Sequence, residues 1–190
     1  MTEKYLFKAS EDETAFDRLV RTRRSVRKFT AQVPPRELVD QVVMAGLLAP
    51  TGRKQQSSII VRIDDPALKA EITAKNAEIM GAPPSPDRGP DPFYGAPVML
   101  LVIANKANST AVYDGSLALG NMMLKAHELG LASCWIHRAK EEMASPLGAK
   151  ILSRLGLQGD YEGVGHLALG YAQGDYPSAY ELKSGRYLSL

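Results

Sequence analysis

Phe16, Leu19 and Val20 stand at helical spacing among polar neighbours, which predicts a helix over 14–22. A second pattern of the same period follows, with Leu38, Val42, Ala45 and Ala49 on one face and Pro34 and Pro35 pre-set for its first turn. That helix is expected to stop at Pro50, because the residue before a proline is pushed out of the helical region. The period then changes. Residues 58–63 are rich in β-branched side chains and predict a strand, after which Asp64, Asp65 and Pro66 open a helix through about Met80. Pro83, Pro84, Pro86, Pro90, Pro92 and Pro97 leave no regular element between 81 and 97, a loop length that is usually functional or mobile.

Residues 98–104 are apolar without alternation, as in a central strand covered on both faces. Asp114 reads as the N-cap of a helix that ends at Gly130. Leu117, Leu119, Met122, Met123, Leu124 and Leu129 spread around most of that helix, so it is expected to be buried on nearly every side, in a core or against a partner subunit. A short strand at 133–136, two short helices within 141–155 and a last strand at 164–171 complete the pattern. Helices and strands alternate irregularly around about four strands. The expected class is therefore α+β.

With 190 residues the chain can bury one sizeable core, and no repeat or linker divides it, so a single domain over 1–190 is expected. Its net charge is only +2, which argues against a protein that coats nucleic acid. Cys134 is the one cysteine; it belongs to no paired-thiol zinc or redox motif and points to a reducing compartment. The first ten residues lack a signal-peptide hydrophobic region, and no apolar run approaches the roughly 20 residues of a membrane span. A soluble, cytoplasmic protein is expected.

Charge is concentrated in one place. Arg21, Arg23, Arg24, Arg27 and Lys28 stand close together with Ser25 among them, a donor set suited to an anion with several oxygens. Taken by itself, the cluster is better read as a solvated basic face at a helix end. The glycines form neither a phosphate loop nor a G-x-G-x-x-G turn after a strand, and the three histidines are too scattered for a metal site. His127 and His166 read as hydrogen-bonded structural residues, and Cys134 as an inert buried thiol. His137, where a strand runs out into a loop, stands evenly between function and surface, while Trp135 suits either a core or a cofactor pocket.

Residues 23–29 (Arg-Arg-Ser-Val-Arg-Lys-Phe) resemble the opening signature of the flavin-dependent nitroreductase family. In the family's order follow Ala49-Pro50-Thr51, the Phe93-Tyr94-Gly95-Ala96-Pro97 entry to the central strand and Asp114-Gly115-Ser116 at the start of a long helix. The Gly130-Leu131-Ala132-Ser133-Cys134-Trp135-Ile136 strand, Ala168-Leu169-Gly170-Tyr171 and the terminal Lys183 to Arg186 complete the resemblance, which covers nearly the whole chain.

The resemblance implies the family's fold, a mostly antiparallel sheet of four to five strands flanked by helices. It also implies a homodimer with FMN at the subunit interface. Arg23, Arg24 and Ser25 would hold the phosphate and ribityl chain, joined by Lys183 and Arg186. Arg27 would face N1 and the C2 carbonyl, where a cation eases hydride acceptance. Pro50, Thr51 and Gly52 of the other subunit would pack on the ring. Trp135 would border the pocket, and the main chain at Ile136, His137 and Arg138 would meet the ring edge, with an N–H donated to N5. Lys54 stands where many members carry asparagine, and the 81–97 loop takes the place of the helical insertions that cover the flavin in larger members.

The activity implied is hydride transfer from NAD(P)H through flavin N5 to a nitroaromatic, quinone or similar acceptor in ping-pong fashion, with no protein general acid. Two other readings stand beside it. One is a flavoprotein of the same fold with a different redox role, dehalogenation or flavin breakdown. The other is a nucleic-acid-binding module built on the 21–28 cluster, against which the near-neutral charge speaks.

Overall fold

The computed structural model describes residues 13–81, 91–178 and 183–188. Four strands form one sheet in the order β1-β2-β4-β3: β1 (Ser58–Arg62), β2 (Val98–Asn105), β3 (Ala132–Ile136) and β4 (Tyr161–Gly170). Every neighbouring pair is antiparallel. The α+β class expected from the sequence is what the fold shows, with four strands.

Side-chain alternation along β2 divides the core in two. Met99, Leu101 and Ile103 face one apolar cluster, and Val98, Leu100, Val102 and Ala104 face the other. The first is covered by α3 (Pro66–Met80), α5 (Ala139–Met143) and α6 (Pro146–Arg154); the second by α2 (Arg36–Leu47) and α4 (Ala111–Glu128). Because helices cover both faces, β2 is apolar throughout even though the sheet is antiparallel. The β2–β4 register slips between Val102 and Ile103, leaving Val164 as a bulge.

Local chemistry explains most element ends. Thr14 accepts from the Asp17 amide in a capping box that starts α1 (Ala15–Thr22), and Asp65 accepts from the amides of Ala67 and Leu68 ahead of Pro66. Gly130, at φ +73°, turns the chain out of α4. Boundaries shift in places: α2 starts after Pro35 and ends at Leu47, three residues short of Pro50, and β4 begins at Tyr161. Asp114 does not cap α4. The helix starts at Ala111, and Asp114 lies in its first turn with its carboxylate turned to the neighbouring loop. Most of the 81–97 loop lies outside the described residues; from Asp91 onward a turn ties the Phe93 and Gly95 amides to the Asp91 carboxylate.

Candidate functional site

The basic segment after α1 does not project into solvent as a free helix end. Ser25 forms a parallel bridge with Ser133, and the Val26 amide donates to the Ser133 carbonyl at 3.0 Å, so the segment runs along the open edge of β3. Val26 and Phe29 are buried anchors, and Phe29 bridges to Ala172 after β4. Apolar residues at these two positions therefore fix where the intervening cations go.

Arg23 and Arg24 play different parts. The Arg24 guanidinium donates to the carbonyls of Arg21, Arg23 and Ser178 at 2.8, 2.7 and 3.1 Å, and its amide donates to the Tyr176 hydroxyl at 3.1 Å. Arg24 thus staples the N-terminal segment to the tail after β4. By contrast, Nη1 of Arg23 is buried with no partner among the described residues, an arrangement that costs stability unless another group answers it. Beside them, the Thr22 hydroxyl donates to Arg18, so His127 donates to Thr22 from Nε2 (2.8 Å) and accepts from Tyr176 at Nδ1 (3.1 Å). Burial, then the charges of Arg23 and Arg24, hold that imidazole below its ordinary pKa and keep it neutral. Burial likewise pushes the Cys134 thiol up, against the pull of Arg27, a Ser25 hydrogen bond and Arg23.

The family model for the nitroreductase family matches residues 20–171, the span that contains this segment, the sheet and every helix after α1, of which it takes in only the last three residues. The chain belongs to the nitroreductase family. A relative from Methanothermobacter thermautotrophicus, carried under the provisional name NADH dehydrogenase/NAD(P)H nitroreductase, is 28% identical over 120 residues, 61% of this chain. The chain spans 57% of that curated relative's length. The crystal structure of a Bacteroides fragilis nitroreductase with bound FMN superposes with a TM-score of 0.81 at 23% identity, over 94% of this chain and all of the other. Iodotyrosine deiodinase bound to FMN and 3-iodo-L-tyrosine has a TM-score of 0.71 at 20% identity, over 92% of this chain and 100% of the other. At these identities the likeness to solved structures shows the fold.

In this nitroreductase-family chain the other expected site residues fall into three places. Trp135 and Ile136 end β3, with Trp135 half-buried and Ile136 buried; His137 is exposed and Arg138 half-buried in the turn before α5. From Ser133 to His137 the strand carries the chain about 13 Å at its usual rise, so the cation cluster and this turn lie towards opposite ends of one edge. Arg27 is exposed. Lys183 and Arg186 are exposed near a turn, and no hydrogen bond among the described residues joins either to Arg23 or Ser25.

Pro50, Thr51 and Gly52 lie elsewhere. Asp114, only 3% exposed, accepts from the Gly52 amide (3.0 Å), the Ser57 hydroxyl (2.7 Å) and the Thr110 hydroxyl (3.2 Å). These donors outweigh burial and hold its carboxyl below the usual range. Arg53, Lys54 and Gln56 take positive φ in this pinned loop, which borders a cavity of about 260 Å³ lined by Leu47, Thr51, Gln56, Ser58, Ile60 and Ala118, among others. Asp114 and His127 are about 20 Å apart along α4 at 1.5 Å per residue. Among the described residues, no hydrogen bond from either end of α4 joins this loop to the cation cluster of the same chain.

Two features escaped sequence reasoning. The tethering of the 50–57 loop by Asp114 looked like helix capping, because both uses put an acid in a helix's first turn. Asn76 and Glu142 sit in polar-looking helical stretches, and nothing in their spacing shows that both are buried against His166.

Proposed function

We propose that the chain is an FMN-dependent oxidoreductase that takes reducing equivalents from NAD(P)H and works as a homodimer. The observation that carries this reading is Nη1 of Arg23, buried beside Ser25 at the edge of β3 with no partner among the described residues, inside the segment matched by the family model. A phosphate answers such a donor with a charge-assisted bond. The residues present therefore fit the cofactor: Arg23 and Ser25 would bind its phosphate, Arg24 would hold the binding segment closed against the tail, and Arg27 would add positive potential along the same edge. The main chain at Ile136, His137 and Arg138 would border the ring. FMN, when bound, supplies hydride acceptance and delivery, which is why no acid or base of the protein is needed.

The second subunit is supported by what the single chain leaves uncovered. Met44, Leu47 and Leu48 at the end of α2, with Val112, Tyr113 and Leu117 on α4, are exposed large apolar residues near the 50–57 loop. A two-fold partner would cover them and bring Pro50, Thr51 and Gly52 to the other chain's cofactor. Lys183 and Arg186 belong to this proposal as further phosphate contacts, and a nitroaromatic or quinone is the acceptor class.

The test is spectroscopic and hydrodynamic. Purified protein is titrated with FMN, reduced with NADH and with NADPH, and reoxidised with menadione, a nitrobenzoate or an iodotyrosine, while sedimentation gives its mass. Failure to take up FMN ends the reading. Reduction by neither nucleotide, or turnover with iodotyrosine alone, moves it to the dehalogenase alternative, which shares the fold.

A further inference from the structure

Three polar side chains are sealed beneath the turn at His137 and Arg138. Asn76 of α3 and His166 of β4 are 0% exposed, and Glu142 of α5 is 1% exposed. Burying such groups is costly unless each is bonded. Here the bonds converge on one turn. Asn76 Nδ2 donates to the main-chain carbonyl of His137 at 2.9 Å and to Oε1 of Glu142, while its Oδ1 accepts from Nε of Arg138 at 2.9 Å. Glu142 Oε2 meets Nε2 of His166 at 2.5 Å, and Phe93 stands edge-on to that imidazole at 5.2 Å. Asn76 therefore grips the backbone of one turn residue and the side chain of the next.

The turn needs such a grip. Arg138 has φ +79° and ψ 3°, a left-handed conformation that a side chain disfavours. Residues held in that region cost on the order of 1–3 kcal/mol and persist only where the surroundings impose them. No side chain caps α5 at Arg138, so the imposing contacts are those from Asn76 and the packing of α5 onto β4. A network that served stability alone would be replaceable by apolar packing. This one joins α3, α5 and β4, elements far apart in sequence, to a backbone carbonyl at the end of β3.

We propose that Asn76, backed by Glu142 and His166, is a positioning residue that fixes the 137–138 turn in the shape in which its main chain meets the flavin. The assignment rests on the flavin reading above, and its test separates the two. Amide exchange at Glu142 and Ala144, whose N–H groups donate to the Arg138 and Lys140 carbonyls at 3.0 Å, is measured by NMR in cofactor-free protein, and FMN affinity and the rate of flavin reduction by NADH in the loaded protein. Asn76→Ala is expected to speed exchange at these amides tenfold or more and to slow reduction at least tenfold, with FMN affinity within threefold of the parent. Adding Arg138→Gly should recover much of the reduction rate, because glycine enters the left-handed region without steric cost.

Arg138→Met cuts the same grip from the solvent side without leaving Glu142 bare, and it is expected to change exchange and reduction in the same direction. It decides the matter if Asn76→Ala does not fold. Exchange and reduction within twofold of the parent in the folded variants would overturn the assignment, as would a uniform loss of protection across the sheet with no excess at the turn. A parent protein that takes up no FMN sinks the flavin reading, whereas the exchange data from cofactor-free protein still judge the grip.

Discussion

Arg23→Ala offers a test in which stability and binding move apart. Nη1 of Arg23 is buried and has no partner among the described residues, a desolvated donor that costs the cofactor-free protein about 1–3 kcal/mol. Removing it relieves that cost and forfeits some packing of the arginine stem, terms of similar size and opposite sign. The free protein is therefore expected to stay within about 1 kcal/mol of the parent, a Tm change of roughly 2–4 °C for a chain of this length. On the proposed binding mode, however, FMN would lose a charge-assisted partner worth about 1.5–3 kcal/mol, a weakening of roughly 10- to 150-fold. Isothermal titration with FMN and denaturant unfolding of cofactor-free protein read the two quantities. A third readout is internal: with the Arg23 charge gone, the His127 pKa should rise towards its ordinary value, though burial still restrains it. Arg24→Ala is the contrast, since its guanidinium holds three carbonyls and its loss should lower stability of the free protein. FMN affinity within twofold of the parent in Arg23→Ala would place the phosphate elsewhere; a loss of several kcal/mol in the free protein would make Arg23 structural.

Asp114→Ala should cost about 2–4 kcal/mol, because it strands the Gly52 amide and the Ser57 hydroxyl, while Asp114→Asn keeps an acceptor for Gly52 and should cost less. Since donors outweigh burial and depress this carboxyl in the folded state, its stabilisation is complete above about pH 3.9 and is lost as the pH falls through the lower folded value. Urea unfolding between pH 2 and 5 should accordingly show a shallower acid limb in Asp114→Asn. Gly163→Ala would put a Cβ 2.0 Å from the Ala139 carbonyl oxygen and force α5 off β4. It should destabilise by about 3 kcal/mol, with chemical-shift changes concentrated at 138–143; an unperturbed Tm would refute that packing.

Periodicity made the elements legible because each side chain's burial is written into its neighbours' spacing. The doubly buried β2, the Asp65 cap and the Gly130 exit all appear where the pattern places them. The order of short motifs marked the family, and the cations at 23–27 could be singled out because charge so dense is rare in this chain. Sequence alone, however, gives Arg23 and Arg24 the same chemistry. Only the folded chain separates the arginine spent on backbone carbonyls from the one whose donor is left over, because that depends on where the tail returns after β4. Likewise Asp114 became a tether rather than a cap, and Asn76, Glu142 and His166 met under one turn, through contacts spanning up to 66 positions of chain. Local spacing determines which face of an element is apolar. Which polar groups are driven together inside is decided when those faces close on the sheet and water is excluded, so that each buried donor must find its acceptor from whatever segment lies opposite.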